Sequence, residues 1–273
     1  MRSAIISPLA SRLSHLASFS YKLVILLKIY AISDLHLSFQ SPADPLRWDL
    51  ANTVKPMHIF HDDWREHYRK IYDNWLELIR PEDLVLVPGD ISWAMRLPDA
   101  RFDLDYLGLL PGMIAGVAGN HDYWWQSLSR VRRELPPNMR VIQNDHLTFG
   151  DLAVCGSRGW NCPGGAWFKE QDLKIYRREL IRMENSLKSA AGARRIVVIT
   201  HFMPTNERHE KNELIELFIQ YQVSDVVYGH LHAASAKFRL PDQLWGIDFH
   251  LVSADYLSFK PRLILDDEAN GET

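Results

Sequence analysis

The sequence has little cysteine, little net charge and no apolar run of membrane-spanning length. Cys155 and Cys162 are too few for a disulfide framework and do not form a C-x-x-C zinc motif, so we expect two reduced thiols in a cytoplasmic protein. A formal net charge of −3 provides no basic field for nucleic acid or a membrane surface. The apolar run 23–32 contains Lys28 and is too short to cross a bilayer. We therefore predict no membrane association and an unlikely nucleic-acid partner, and the sequence identifies no protein partner.

Acidic residues are absent from the start of the chain, where the first is Asp34. Residues 1–22 are rich in serine and carry Arg2, Arg12 and Lys22, a composition that resembles a transit-type leader and less well a signal peptide. A different interpretation is that translation starts at Leu27, which predicts that residues 1–22 pack poorly on the rest. We accordingly predict a leader or start-site artefact at 1–22, a single domain at 23–265, and a frayed acidic tail at 266–273.

Apolar residues recur with the periods of a mixed α/β protein. Hydrophobic residues make up 47% of the 273-residue chain and charged residues 24%, an ordinary globular balance. Helical periodicity predicts helices over 58–79, 98–110, 123–135, 169–190 and 212–222, separated by short β-rich runs. The segment 235–265 is predicted to form antiparallel strands. This order predicts a four-layer α/β/β/α sandwich of two facing mixed sheets flanked by helices.

Five of the β-rich runs end in polar residues that could meet at one edge of a sheet, because sites in open α/β sheets form at the carboxyl ends of strands. Oxygen and nitrogen donors without sulfur suit Mn, Fe, Zn or Co. Seven such donors are too many for one small site but fit two metal ions if one carboxylate bridges them. A remaining imidazole could protonate a leaving alkoxide. The polar residues are Asp34 and His36, Asp90, Asn120 with His121 and Asp122, His201, and His230 with His232.

The order of these motifs resembles the calcineurin-like metallophosphoesterase family, also called the binuclear metallophosphatases. The family pattern D-x-H, G-D, G-N-H-D/E, H and G-H-x-H is matched by "SDLHL", "PGDIS", "GNHD", "ITHF" and "YGHLH", and the resemblance runs from about Leu23 to Leu265. "GDISWAM" with "GNHDYWW" is similar to a bacterial branch of predicted phosphohydrolases.

The resemblance implies two metal ions, divalent or trivalent, with a hydroxide between them that attacks phosphorus. It implies that His121 binds no metal and acts as the proton donor, and that Asp90 bridges the two ions. The first ion would be held by Asp34, His36, Asp90 and His232, and the second by Asp90, Asn120, His201 and His230.

The sequence departs from the phosphoprotein phosphatase branch at the second motif. That branch continues with an aspartate that orients the catalytic histidine and an arginine that binds phosphate, whereas this chain has Trp93 and Ala94. His121 therefore needs another orienting partner. Asp122 could be that partner, but an aspartate at this position more often hydrogen-bonds the backbone of its own turn, and we expect that role.

Several other side chains could contact a substrate or could simply pack. Trp93, Trp124, Arg158 and Trp160 lie near the motif loops, and an aromatic ring there could stack on a base or sugar; the alternative for each is core, rim or surface packing. The histidines of the 58–79 helix, His58, His61 and His67, are predicted to lie on a solvated face. His209 and His250 have no spacing partner and are predicted to be structural or exposed.

The predicted function is hydrolysis of a phosphomonoester or phosphodiester in a small phosphorylated substrate. A cyclic-nucleotide or other nucleotide-type phosphodiesterase, a nuclease and a non-catalytic scaffold are the alternatives. The net charge of −3 and the lack of a basic stripe weigh against a nuclease. The complete set of seven ligands and His121 weighs against a scaffold, whose mark would be a degraded ligand set.

Overall fold

The structure is a computed structural model that describes residues 28–266. The predicted leader at 1–22 and the predicted tail at 266–273, apart from Asp266, lie outside these residues. Between residues 28 and 266, no helix combines the length and the apolar character needed to cross a membrane.

One sheet has five strands in the order β11-β1-β2-β3-β4. Strands β1 to β4 run parallel, with a helical crossover between each strand and the next, and β11 pairs antiparallel with β1 at the edge. Their bounds are Lys28–Ala31 for β1, Leu84–Val87 for β2, Met113–Gly116 for β3, Met139–Val141 for β4 and Arg262–Asp266 for β11.

The other sheet has six strands in the order β5-β6-β7-β8-β10-β9. The central four are parallel, and the two edge strands are antiparallel to their neighbours. The strands are β5 (His146–Phe149), β6 (Leu152–Ser157), β7 (Arg195–Thr200), β8 (Asp225–Tyr228), β9 (Gln243–Leu244) and β10 (Ile247–Leu251).

The two sheets face each other across one layer of apolar side chains. Leu84 and Leu86 of β2 point into this layer, where they pack in the same cluster as Val197 and Ile199 of β7. The alternate residue Val85 faces the helices on the outside of the first sheet, as the two-residue period of a strand requires. Burial on both faces explains the continuous apolar runs of these strands. The predicted four-layer α/β/β/α sandwich is confirmed.

Within residues 28–266, five α-helices flank the sheets. They are α1 (His67–Leu78), α2 (Arg101–Gly108), α3 (Leu128–Glu134), α4 (Leu173–Ser189) and α5 (Glu213–Gln220). All five were predicted, but four begin several residues later than the apolar periodicity indicates. Residues 57–59, 62–64, 97–100 and 170–172 form 3₁₀ turns, and 123–127 are not helical, so the predicted starts at 58, 98, 123 and 169 are wrong.

Three further predictions about packing can be compared with the fold. The prediction of purely antiparallel strands over 235–265 is wrong, because β10 pairs parallel with β8 and residues 233–238 form a 3₁₀ turn. His67 is buried, with 3% of its surface exposed, so it does not lie on a solvated face. Cys155 and Cys162 are free, as predicted, and both are buried.

Strand ends from the two sheets meet just beyond β1 and β10. Ser33 and Ser253 form a parallel bridge, in which the Ser33 N–H donates to the Val252 carbonyl at 2.8 Å and the Ala254 N–H donates to the Ser33 carbonyl at 3.0 Å. This bridge places the carboxyl ends of both sheets at one edge of the sandwich.

Candidate metal centre and active site

All of the predicted metal-ligating side chains, and the predicted proton donor His121, lie on loops at this edge. The loops after β1, β2 and β3 supply the residues from the first sheet, and the loops after β7 and β8 supply those from the second. Parallel strands make this convergence a consequence of topology, since their carboxyl ends lie side by side. The residues are Asp34 and His36, Asp90, Asn120 with His121, His201, and His230 with His232.

Four of these residues have a left-handed backbone. The φ angles are +58° at Asp34, +47° at His36, +52° at Asp90 and +70° at His230. Such a conformation costs a non-glycine residue roughly 1–2 kcal/mol and persists only where the surrounding structure imposes it. The fold therefore maintains local strain at the residues whose side chains converge.

Two glycines allow the loops to approach the carboxylates closely. A Cβ atom on Gly119 would lie 2.0 Å from Asp90 Oδ1, and one on Gly229 would lie 2.3 Å from Asp34 Oδ2. No side chain fits either position without moving a buried carboxylate. The "GN" and "GH" pairs of the motifs are thus explained by packing as well as by turn geometry.

The converging side chains form two overlapping groups of ligand atoms. Those of Asp34, His36 and His232 lie within 4.8 Å of one another, and so do those of Asp34, Asp90 and His201. Asp34 belongs to both groups, whereas the resemblance implies Asp90 as the shared ligand. Asp90 Oδ2 nevertheless lies 3.9 Å from His36 Nε2 and 3.5 Å from His201 Nε2, so Asp90 faces a histidine of each group.

His201 presents a lone pair to the centre. Its Nδ1–H donates to the Pro88 carbonyl oxygen at 3.0 Å, which leaves Nε2 as an acceptor. Nε2 lies 2.7 Å from Asn120 Oδ1, so two acceptors face each other. Burial lowers the pKa of His201 to about 3 and that of His230 to about 4, which keeps both imidazoles neutral. A cation between Nε2 and Oδ1 would satisfy both atoms.

The electrostatic environment also favours a cation. Asp34 and Asp90 are almost completely buried, and burial raises the pKa of Asp90 well above its ordinary value. Burial alone would lower the pKa of His232, but Asp34 and Asp255 outweigh this effect and raise it to about 10. His36 Nδ1 is buried with no hydrogen-bond partner within residues 28–266. The candidate ligands are oxygen and nitrogen atoms, and hydrogen-bond acceptors are in excess among them. Such a set of ligand atoms fits metal ions.

Asp255 is a residue that motif spacing did not identify. His232 Nδ1 donates to Asp255 Oδ1 at 2.7 Å, and His232 Nε2 lies 3.1 Å from Asp34 Oδ1. The Ala233 N–H donates to the other Asp255 oxygen at 3.0 Å. A carboxylate that holds the second nitrogen of a ligating histidine fixes the ring orientation and raises its basicity. The available signal was an aspartate just after strand β10, in "LVSAD".

His121 is oriented by packing and by its backbone. Its N–H donates to Asp90 Oδ1 at 2.8 Å, and its ring centroid lies 4.3 Å from that of Trp93. The ring of His121 is partly exposed, and no residue between 28 and 266 hydrogen-bonds its Nδ1. Trp93 also stacks on His36, at 4.9 Å and 19°. Lys55, also not identified from the sequence, places Nζ 3.1 Å from the Trp93 ring centroid.

Asp122 holds the turn instead of orienting His121. Its Oδ2 accepts from the Gly119 N–H at 2.7 Å, and its Oδ1 accepts from the N–H groups of Ile91 and Ser92 at 2.9 and 3.0 Å. The Trp124 indole N–H donates to the same Oδ1 at 2.9 Å. The expected structural role of Asp122 is confirmed, and it links the loops after β2 and β3.

The four predicted substrate contacts have different locations. Trp93 lies beside His36 and His121, as described above. Arg158 and Trp160 lie on the opposite side of the centre, where the Arg158 carbonyl accepts from the His201 N–H at 3.0 Å and the Trp160 ring packs 4.9 Å from that of Phe202. Trp124 is wholly buried in the core, with 0% of its surface exposed, so the prediction that it contacts substrate is wrong.

His209 and His250 make structural contacts away from the centre. His209 Nε2 donates to the Phe238 carbonyl at 3.0 Å, and His250 Nε2 lies 3.1 Å from Asp225 Oδ1. Neither belongs to a group of ligand atoms among the described residues. This agrees with the prediction that they have no part in the centre.

Comparison with known families identifies the class of the protein. The sequence profile of the calcineurin-like phosphoesterases matches residues 27–234, which is more than half of the chain. The chain therefore belongs to the calcineurin-like phosphoesterase family and is a metal-dependent hydrolase of phosphate esters. Comparison with curated proteins found no match.

Solved structures with a similar fold include the phosphopantetheinyl hydrolase of Mycobacterium tuberculosis. It has 14% identity and a TM-score of 0.53, over 88% of this chain and 96% of its own. A protein of unknown function from Aquifex aeolicus, AQ665, has 15% identity and a TM-score of 0.46, over 87% and 95%. The calcineurin-like phosphoesterase YfkN of Bacillus subtilis has 12% identity and a TM-score of 0.44, over 82% and 80%. The likeness to the Mycobacterium enzyme supports the fold alone.

Proposed function

We propose that the chain hydrolyses a phosphomonoester or phosphodiester of a small phosphorylated substrate at a two-metal centre, with His121 as the proton donor. The observation that carries this proposal is the convergence of Asp34, Asp90 and His201, whose ligand atoms lie within 4.8 Å of one another. Such a cluster of buried acceptors has little use without cations. The location of the protein in the cytoplasm stays a prediction.

The proposed ligands fall into two sets that share Asp90. Mn, Fe, Zn and Co all accept these donors, so the donor set is compatible with any of them. Bound metal ions would supply positive charge beside the phosphoryl oxygens and lower the pKa of a water molecule. One set is Asp34, His36, Asp90 and His232, and the other is Asp90, Asn120, His201 and His230.

His121 is the group that supplies the proton in this proposal. It follows the ligand Asn120 directly, and its backbone N–H holds Asp90, so its ring lies beside the centre but outside both ligand groups. The ring is partly exposed and packs against Trp93, which restricts its orientation. A protonated imidazole there can pass its proton to the leaving oxygen as the ester bond breaks.

Arg158, Trp93 and Trp160 are the proposed substrate contacts. Arg158 has a buried Nε with no partner within the described residues, and its guanidinium lies 4.7 Å from the Trp160 ring centroid. Lys55 adds a second positive charge on the His121 side, and its charge lowers the pKa of His121 after the larger effect of burial. Positive charges on both sides of the centre suit an anionic phosphate ester.

The test compares the wild type with His121→Ala and Asp90→Asn after loading with Mn²⁺. Hydrolysis is measured on an alkyl phosphate, whose leaving group needs a proton, and on 4-nitrophenyl phosphate, whose leaving group does not. We expect His121→Ala to lose about 10²–10⁴-fold on the alkyl ester and much less on the nitrophenyl ester. Asp90→Asn should lose activity on both esters and bind less metal, measured by elemental analysis.

Metal content separates the two roles. His121→Ala should retain the wild-type metal content, because His121 lies outside both ligand groups. Equal activity in all three proteins would refute the mechanism. Equal losses on the two esters in His121→Ala would refute proton donation while leaving the metal centre intact.

A further inference from the structure

The loop between β1 and α1 carries a lysine whose backbone is held close to the metal centre. The Lys55 N–H donates to Ser38 Oγ at 3.2 Å, and the Lys55 carbonyl accepts from the same hydroxyl at 3.1 Å. The Val54 N–H also donates to the Ser38 carbonyl, at 2.8 Å. Ser38 follows the proposed ligand His36 by two residues, so these bonds fix Lys55 against the segment that supplies the first metal ligands.

The Lys55 side chain lies over an aromatic ring. Its Nζ is 3.1 Å from the centroid of the Trp93 ring and 5.5 Å from that of Phe60. Trp93 also stacks on His36, at 4.9 Å and 19°. Because His36 covers one face of the Trp93 ring, the ammonium lies over the other face. Trp93 therefore separates Lys55 from His36, and the charge of Lys55 lies beyond the metal ligands.

This ammonium has no acceptor in the part of the chain that the structure describes. There, Nζ makes no ion pair and no hydrogen bond, and its contacts are the two rings. Lys188 and Lys211, by contrast, pair with Glu184 and Glu216 at 2.7 and 2.9 Å. Burial lowers the pKa of Lys55, so its charge has lost part of its hydration. An ammonium has three N–H donors, and a ring face occupies only part of that capacity.

The charge lies on the side of the proposed proton donor, where the protein surface is open. The His121 ring centroid is 4.3 Å from that of Trp93 and 6.2 Å from that of Tyr123. Tyr123 is 55% exposed and Phe60 is 59% exposed, and Lys55 is itself partly exposed. A ligand can thus reach Lys55 from solvent. Since His121 gives its proton to the leaving oxygen in the proposed mechanism, the organic group of the ester lies on this side.

Packing alone does not account for the charge of Lys55. Trp93 is already held by other contacts, because its indole N–H donates to Met57 Sδ at 3.1 Å and its ring packs on His36 and His121. A methionine in place of Lys55 would cover the ring without withdrawing a charge from water. The charge therefore needs a reason of its own, and an anion that arrives with the substrate provides one.

We propose that Lys55 binds an oxyanion on the organic group of the ester, so that the substrate carries a second negative charge besides the phosphate that is hydrolysed. The oxyanion is a carboxylate or a second phosphate, a short chain away from the ester oxygen. This inference rests on the proposed function, because it names the class of substrate that the centre hydrolyses. A lysine ammonium recognises either anion as a point charge.

The test uses substrates that differ in one charge. 3-(Phosphonooxy)propanoate ends in a carboxylate, and its carboxamide has nearly the same size without the charge. We expect the Mn²⁺-loaded wild type to prefer the carboxylate by about 10-fold in kcat/KM, as a hydrogen bond between charged groups allows. Lys55→Met should remove most of this preference, because methionine covers Trp93 but carries no charge. An equal loss on both substrates in Lys55→Met would overturn the inference and assign Lys55 to the packing of Trp93.

A second pair of substrates distinguishes the two anions. Propane-1,3-diol bisphosphate carries a phosphate where the first compound has its carboxylate, and propyl phosphate is its uncharged counterpart. A larger Lys55-dependent preference in this pair supports a second phosphate as the bound group. A larger preference in the carboxylate pair supports a carboxylate.

Two further variants control for charge. Lys188→Met also removes one positive charge, but Lys188 lies in the last turn of α4. Because α4 connects the parallel strands β6 and β7, its last turn lies at the amino ends of the strands, at the edge opposite the centre. This variant should keep the wild-type preference, and a loss equal to that of Lys55→Met would overturn the inference. Lys55→Arg keeps the charge and should keep part of the preference, and a loss as complete as that of Lys55→Met would count against the charge.

Binding is measured separately from turnover, by calorimetry with 4-phosphonobutanoate and 4-phosphonobutanamide, in which a methylene group replaces the ester oxygen. Tighter binding of the carboxylate that is lost in Lys55→Met, without ester hydrolysis, would support the role of Lys55 and overturn the phosphoesterase proposal. Hydrolysis with no preference, or with a preference that survives in Lys55→Met, would overturn the role of Lys55 and keep the phosphoesterase proposal. Neither binding nor hydrolysis by the wild type would overturn both.

Discussion

Two buried carboxylates of the same chain, Asp122 and Glu179, have very different environments. Asp122 has 5% of its surface exposed, and its two oxygens accept four hydrogen bonds from donors that are all uncharged and fixed in place. Glu179 has 2% exposed, and all of its ion pairs involve Oε1. Its Oε2 is buried with no partner among residues 28–266.

The partners of Glu179 are three arginines on long side chains. Arg158, Arg178 and Arg182 approach Oε1 at 3.8, 3.4 and 2.8 Å, and their side chains are 24%, 52% and 28% exposed. Three guanidinium groups around one carboxylate leave an excess of positive charge around Glu179. Equal burial therefore does not imply equal function. Asp122 fixes two backbone loops, whereas Glu179 restrains three arginine side chains that are still partly exposed to solvent.

The largest effect is expected for Asp122→Ala. The substitution leaves the N–H groups of Gly119, Ile91 and Ser92 and the indole of Trp124 without their acceptor. Water can replace only part of these contacts, so we expect the free energy of unfolding to fall by about 3–5 kcal/mol. Urea denaturation measures this change, provided that the slope m is the same in both proteins.

Asp122→Asn is the matched variant. Its amide oxygen still accepts from the donors on one side, but its N–H₂ group faces the donors on the other, so the loss should be smaller than for alanine. A loss below about 1 kcal/mol for Asp122→Ala would contradict the comparison, because this carboxylate would then contribute no more to the free energy of unfolding than a single ordinary hydrogen bond does.

A smaller effect, on metal binding, is expected for Asp255→Ala. Asp255 orients His232 and not a backbone loop of the core, so its removal should weaken metal affinity about 10–100-fold. The matched control is Asp225→Ala, which removes a similar contact to His250 at the other end of the second sheet and should not change metal affinity. Titration with Mn²⁺ monitored by calorimetry measures both. Equal affinity in Asp255→Ala and the wild type would show that His232 needs no orienting carboxylate.

Many of the site residues that follow strands of the first sheet could be predicted from the sequence, for a physical reason. Strands buried on both faces are continuous apolar runs, and polar groups at the ends of several such runs converge on one edge of a parallel sheet. Asp34, Asp90 and Asn120 were found in this way, and the structure places them at one edge. Helix starts were not predictable, because the 3₁₀ turns at 57–59 and 62–64 carry the same apolar side chains as a helix would.

The roles that depend on distant contacts could not be read from the sequence. Asp255 is 23 residues from His232 along the chain. Trp93 and Trp124 look equivalent as aromatics beside a motif, yet one stacks on His36 and the other is buried in the core. Only tertiary packing distinguishes them.

The smallest effect is expected for Glu179→Gln. Ion pairs of partly exposed arginines contribute only a few tenths to about 1 kcal/mol each, and removing a buried charge offsets part of their loss. We therefore expect the free energy of unfolding to fall by at most about 1 kcal/mol in low salt, measured by urea denaturation as for Asp122→Ala. The difference from the wild type should shrink further in 0.5 M NaCl, since salt screens the arginine charges but not the hydrogen bonds of Asp122. A loss as large as that of Asp122→Ala, unaffected by salt, would mean that Glu179 supports the fold in the same way as Asp122, and that the unused oxygen and the excess of positive charge do not distinguish the two carboxylates.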